Sequence, residues 1–234
     1  MKRLVFILFL FLVSCATSPK INILPYNQYT AQYKNLIEIT NQATKAIDSQ
    51  NMGKYRVGLL DTEIPNAVSF ANYQIFVTWG LYRNFTNEEL LFIMGHEVAH
   101  IKLGHAKKEW AVSQGISSVF LIAERSIPGI SLLDFLANPL VTRAYSREQE
   151  MASDKLSVTS ICEKYGESAE EYVNALNKIA AYAKENNLKS NGGGLWDTHP
   201  GFEKRIQAIT ELIGVCKNNE EHVSKIPEQI PLAP

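Results

Sequence analysis

Residues 89 to 105, ELLFIMGHEVAHIKLGH, are apolar enough to be core, yet they carry a glutamate beside two histidines. The run opens with the signature of a helix start. Thr86 is placed as N-cap, Glu89 three residues on completes a capping box, and Phe85 and Leu90 are placed for a hydrophobic staple. This pattern predicts a helix from Asn87 to about Trp110. His96 and His100, four apart, then share one face a turn apart, the spacing at which two imidazoles grip one Zn²⁺. Glu97 is turned about 100° from His96, placed to work on a water rather than on the ion. Gly95 beside His96 is a poor choice for a helix built only for packing. Taken alone, HEVAH also fits a packed helix with hydrogen-bonded histidines, so a third ligand is required.

Two routes to that ligand exist. A third histidine six residues after His100, with a glycine three after it, would complete one known arrangement, but those positions hold Ala106 and Leu103. His105 falls one position short and reads as a surface or helix-capping residue. The other route is a carboxylate from a later helix. In SREQEMASD, Glu150 and Asp154 are four apart and share a face, whereas Glu148 is rotated roughly 200° from Glu150 and points away. One of the pair can bind the metal while the other accepts the free ring N–H of a ligating histidine.

The rest of the chain suits one globular domain. It has 234 residues, 46% hydrophobic and 20% charged, with a net charge of −1. That balance leaves no electrostatic footprint for nucleic acid. At the N-terminus, Lys2 and Arg3 precede an apolar run from Leu4 to Val13, too short to span a bilayer and typical of a secretory signal. It ends in Leu12-Val13-Ser14-Cys15, which resembles a bacterial lipobox, so residues 1–14 read as a signal peptide and Cys15 as the lipidated residue of a tether over 15–25. Ala16 after that cysteine suggests the periplasmic face of the outer membrane. Export permits a disulfide between Cys162 and Cys216; two buried thiols are the alternative.

A single domain over 26–216 is expected, α+β but mainly helical, with a polar, loosely held tail over 217–234. Tyr33, Leu36, Ile37, Ala43 and Ile47 mark a helix within Tyr26 to Asn51. Tyr55 to Leu60, NAVSF and QIFVTWGL read as strands, the last two divided by Ala71 to Tyr73. The apolar stretch from Ala111 to Val141 contains charges and prolines that fit packed helices or a flap. Further helices are expected from Arg143 to Tyr165, from Ser168 to Asn186 with a Ser168–Glu171 capping box, and from His199-Pro200 to about Gly214. Gly192 to Gly194 form a flexible link.

HEVAH, SREQEMASD and the later THPGFEKRI together resemble the HtpX-like zinc metallopeptidases, which include the CAAX prenyl proteases and the BepA- and LoiP-type periplasmic lipoprotein proteases. The resemblance runs from about Asn66 to Ile206. The family pattern falls on Ser146, Arg147, Glu150 and Asp154, and departs at Ser153, where alanine is usual. It implies a zincin-like gluzincin fold with a small β-sheet and endoproteolysis. Carried onto this chain, His96, His100 and Glu150 hold one Zn²⁺ per chain, Glu97 is the general base, and Asp154 and Arg205 support the ligands. His199 either donates to the developing oxyanion or fills the fourth metal position and holds the enzyme shut. Asn66, Ala67 and the strand Gln74, Ile75, Phe76, Val77 and Thr78 are expected to pair with extended substrate. Such an enzyme, held to the membrane through the lipid on Cys15, would degrade unfolded or misassembled envelope proteins. The rival readings are a chaperone-like assembly lipoprotein with a mainly structural metal site, and a structural helix bundle without metal.

Overall fold

A helix that is apolar on every side must be covered on every side. The helix bearing HEVAH meets that condition: each residue from Glu89 to His100 is buried. The computed structural model describes residues 22–107, 145–186, 199 and 201–223. The expected signal segment with Cys15, the apolar stretch from Ala111 to Val141, the glycine link and Pro200 lie outside the described residues. Among the described residues no helix is long and apolar enough to cross a membrane.

The elements are α1 (Thr30–Ile47), β1 (Arg56–Leu60), β2 (Ala67–Ser69), β3 (Gln74–Thr78), α2 (Trp79–Asn84), α3 (Asn87–Lys102), α4 (Arg147–Tyr165), α5 (Ala169–Glu185) and α6 (Phe202–Val223). Around α3 pack α1, α4, α5 and β2, while α6 closes over α4 and α5. The architecture is therefore mainly helical with one small sheet, as expected. Within α1, Tyr33, Leu36, Ile39, Ala43 and Ile47 face the core, but Ile37 is 42% exposed.

Strand order in the sheet is β1-β3-β2, with β1 parallel and β2 antiparallel to β3. This corrects the expected substrate strand. Gln74–Thr78 is central, so its backbone groups are consumed on both sides and it has no edge to offer. The edge strands are β1 and β2; among the described residues Leu24 N–H donates to the Leu59 carbonyl on the outer side of β1, and no strand pairs with the outer side of β2. Thr78 N–H donates to the Asn66 carbonyl and Phe70 N–H to that of Gln74. By alternation, Ala67 and Ser69 occupy the non-hydrogen-bonded positions and turn their N–H and C=O groups away from β3. The expected strand QIFVTWGL also stops early. The Thr78 hydroxyl accepts from Leu81 N at 3.2 Å, and Trp79 begins α2.

Helix ends follow local chemistry. The Thr86–Glu89 capping box forms as expected, and Glu89 also accepts from Lys178 Nζ at 2.8 Å. Instead of reaching Trp110, α3 ends at Lys102, because Gly104 takes a left-handed conformation (φ 74°) and turns the chain. Ser146 and Gln149 form a capping box on α4, but the expected Ser168–Glu171 box is absent, Ser168 accepting from Glu170 N instead. The last helix begins at Phe202, after Gly201, and continues past Gly214 to Val223. Gly95 is explained by contact: a Cβ there would stand 2.5 Å from Ser157 Oγ and 2.6 Å from Ile161 Cδ1, so its absence lets α3 and α4 approach.

Two tethers help to position α3 and α4. At the end of α1, buried Asp48 accepts from Asn51 Nδ2 at 2.8 Å, Tyr55 Oη at 2.8 Å and Lys102 Nζ at 2.9 Å. It thereby ties the last turn of α3 to α1. Cys162 on α4 and Cys216 on α6 are disulfide-bonded, with Cα atoms 5.5 Å apart.

Burial would raise the Asp48 pKa, but hydrogen bonds from Lys102, Asn51 and Tyr55 outweigh it and hold it below the usual value. A group depressed in the folded state stabilises above its unfolded pKa, near 4, and loses that contribution as pH falls through the lowered value. Asp48→Ala should therefore cost about 1–3 kcal/mol at pH 7. In urea titrations the gap to wild type should shrink as pH drops below about 4. Reducing the disulfide, which closes a loop with a sequence separation of 54, should lower stability by up to about 4 kcal/mol, read as a fall in Tm with reductant that Cys162→Ala reproduces.

Candidate metal centre

Two turns of α3, the first turn of α4 and His199, three residues before α6, converge on one point. His96, His100, Glu150 and His199 each offer a ligand atom there, and all of these atoms lie within 4.8 Å of one another. All four residues are buried. His96 Nε2 is 2.9 Å from His100 Nε2 and 3.2 Å from His199 Nδ1. Glu150 Oε1 lies 3.2 Å from His100 Nε2 and 3.1 Å from His199 Nδ1, and Oε2 lies 3.5 Å from His96 Nε2.

The carboxylates that sequence periodicity left interchangeable are told apart by which imidazole nitrogen they face. Glu150 sits with the Nε2 atoms at the centre. Asp154, one turn on, stands 2.8 Å from His96 Nδ1, on the far side of that ring. Arg205 reaches in from α6 and donates to both Asp154 oxygens at 2.7 Å and to Tyr172 Oη at 3.0 Å. Its Nη1 lies 2.8 Å from Glu150 Oε2. The Tyr172 hydroxyl donates to Asp154 Oδ1 at 2.7 Å. Glu148, as expected, is exposed.

Charge explains the fit to a cation. Among the described residues, Glu97, Glu150 and Asp154 are buried around the point, with Arg205 as the one buried arginine beside them. With the histidines neutral, as metal ligands must be, three carboxylates against one guanidinium leave a surplus of two negative charges, which a divalent cation would neutralise. Among the described residues, both Glu97 oxygens are buried without a hydrogen-bond partner, although His199 Nε2 stands 3.4 Å from Oε1. Two imidazoles and a carboxylate with a further histidine form a donor set suited to Zn²⁺.

The titration pattern reports the same crowding. Burial lowers His96, but Glu150 and Asp154 outweigh it and raise the pKa to about 9. Burial takes His100 well below its ordinary value, with the neighbouring His96 adding to the effect. Burial opposes ionisation of Glu150 and Asp154 as well. For Glu150 the nearby His199, Arg205 and His96 prevail and hold it far below the carboxylate range. For Asp154, Arg205 and His96 do the same.

Sequence reasoning missed two residues here. His105, expected at the surface, is buried, and its Nδ1 lies 3.1 Å from His100 Nδ1. The chain bends at Gly104 and returns this ring beneath His100; that glycine was the available signal. Tyr145, just before α4, stacks on the His100 ring with centroids 3.7 Å apart and planes 21° apart. Of the other expected site residues, Ala67, Ile75, Phe76, Val77 and Thr78 are buried in the sheet, whereas Asn66 and Gln74 are partly exposed.

Arg205→Ala would strand two buried carboxylates, so it should cost about 3–5 kcal/mol. Thermal unfolding in excess chelator, compared with wild type, measures that loss free of bound metal.

The sequence pattern of Peptidase family M48 matches residues 30–213, which span every element of this site. The chain is similar to the metalloprotease LoiP of Escherichia coli (strain K12), 31% identical over 198 residues that cover 82% of this chain and 74% of that protein. It is 24% identical over 210 residues to a protease HtpX homolog of Variovorax paradoxus (strain S110), covering 73% of this chain and 70% of the other. Against the metalloprotease YcaL of Escherichia coli (strain K12) it is 27% identical over 161 residues, covering 65% and 59%. With the buried His/Glu cluster shared among α3, α4 and the start of α6, these matches support a metalloprotease: this chain belongs to peptidase family M48.

Proposed function

We propose that the chain is a zinc-dependent endopeptidase of the bacterial envelope, held to the outer membrane by lipid on Cys15, that degrades unfolded or misassembled envelope proteins. The observation that carries the catalytic part is the buried Glu97 carboxylate, unbonded at both oxygens beside four convergent donors. His96, His100 and Glu150 would hold the ion. When bound, Zn²⁺ supplies a Lewis acid that acidifies water and polarises a peptide carbonyl.

Glu97 serves as general base and then general acid. It accepts the proton that water loses as its oxygen adds to the scissile carbonyl, and passes it to the nitrogen as the C–N bond breaks. An extended peptide would pair with the outer side of β2, on which no described strand lies; Ala67 and Ser69 are buried there, so such pairing requires their cover to move aside. This recognition asks little of the substrate's side chains, which suits unfolded chains. Arg205 and Asp154 keep the His96 ring oriented. His199 Nδ1 lies among the donors, which supports the fourth-ligand reading and thus a resting enzyme that opens when His199 withdraws. The envelope location rests on the N-terminal sequence.

The same histidine favours one rival. Four protein donors make the closed set of a structural site, as an assembly lipoprotein would use. Glu97→Gln separates the two: it should retain zinc and lose at least about 100-fold in cleavage of unfolded casein. Cleavage at the wild-type rate would overturn the catalytic reading. Glu150→Ala should lose both zinc, measured by elemental analysis, and activity.

A further inference from the structure

We propose that His105 is a positioning residue for the metal site, fixing the tautomer and ring angle of His100 with help from Ser153. The inference rests on the metal reading above and adds a part that neither the motif nor the matched family assigns here. Its starting point is which nitrogen faces where. His100 Nε2 points into the cluster, 2.9 Å from His96 Nε2 and 3.2 Å from Glu150 Oε1. A lone pair on Nε2 is what a metal ligand needs, so in the neutral ring the proton sits on Nδ1. That Nδ1–H faces His105 Nδ1 at 3.1 Å. Two N–H groups cannot share that contact, so His105 accepts at Nδ1 and carries its own proton on Nε2.

Ser153 Oγ lies 3.2 Å from the same His105 nitrogen. In that tautomer the Ser153 hydroxyl is a donor too, sharing the single Nδ1 lone pair with the His100 N–H in a three-centre arrangement that keeps this edge of the ring turned to His100. Tyr145 covers a face of the His100 ring at 3.7 Å between centroids, so the imidazole is held by stacking as well as by its N–H.

The arrangement is made by the turn after α3. Gly104 adopts φ 74°, a conformation that side-chain-bearing residues rarely take, and this brings His105 back beneath the helix. The two α3 ligands are thus supported differently. His96 has a carboxylate, Asp154, at its Nδ1, and His100 has a neutral imidazole. Support of this kind orients the ligand and is worth 10–100-fold in metal affinity when removed, by general experience with such shells.

The test is the apparent zinc affinity of the full chain, by competition with a chromophoric chelator, for wild type, His105→Leu, His105→Asn and Ser153→Ala. Leucine fills the space without an acceptor and should weaken binding about 10- to 100-fold. Asparagine places an amide oxygen the same number of bonds from Cα as imidazole Nδ1, and should restore affinity to within a few-fold. Ser153→Ala should lose about two- to tenfold. Circular dichroism in chelator confirms that each metal-free variant is folded. Leucine binding as tightly as wild type, or a folded asparagine variant as weak as leucine, overturns the positioning role alone; asparagine against wild type decides it if leucine does not fold. A wild-type chain that takes up no zinc overturns the metal reading and this role together.

Discussion

A surplus of buried negative charge organises this molecule. Glu97, Glu150 and Asp154 lie within the packed interior with one arginine among them, and an uncompensated buried charge is among the costliest features a fold can contain. Arg205 offsets part of that charge on the α6 side, and a divalent cation held by the cluster would balance the rest. The surrounding design follows from keeping these groups together and dry. Helix α3 is covered on all sides, Gly95 lets α4 come close, and Tyr172 and Arg205 satisfy the carboxylate on the far side of the His96 ring.

The two motif helices are far apart in sequence, so their register depends on separate fastenings. Asp48 holds the end of α3 to α1 through Lys102. Ser157 on α4 donates to the Phe92 carbonyl on α3 at 3.0 Å, directly where the two helices are closest. The Cys162–Cys216 link binds α4 to α6, and so binds the element carrying Glu150 and Asp154 to the one carrying Arg205. None of these groups touches the reaction centre. Each limits how far a ligand can drift, and a site of this kind works only within a fraction of an ångström.

Much of the site is legible in the chain because helical periodicity is local. His96 with His100, and Glu150 with Asp154, fall on shared faces whatever the helices later pack against, and capping residues mark where α3 and α4 begin. The misses are equally physical. β3 reads as a strand from its β-branched and aromatic residues, but propensity does not say whether a strand is central or at an edge. His105 looks like a surface residue when α3 is extended to Trp110; the bend at Gly104 reverses that by ending the helix first.

The sequence by itself determined that two imidazoles and a glutamate occupy one capped, apolar helix and that a second helix brings a carboxylate pair, since both follow from spacing along a single element. Only the tertiary structure decided that Glu150 meets the Nε2 atoms and Asp154 the outer side of His96, that His105 returns beneath His100, and that β3 lies in the centre of the sheet with β1 and β2 at its sides. The reason is that a repeat of 3.6 residues fixes which side chains share a face, but not how one helix is rotated or shifted against another. That placement is set by contacts such as Gly95 against Ser157 and Arg205 against Asp154, whose partners stand more than fifty residues apart in the chain.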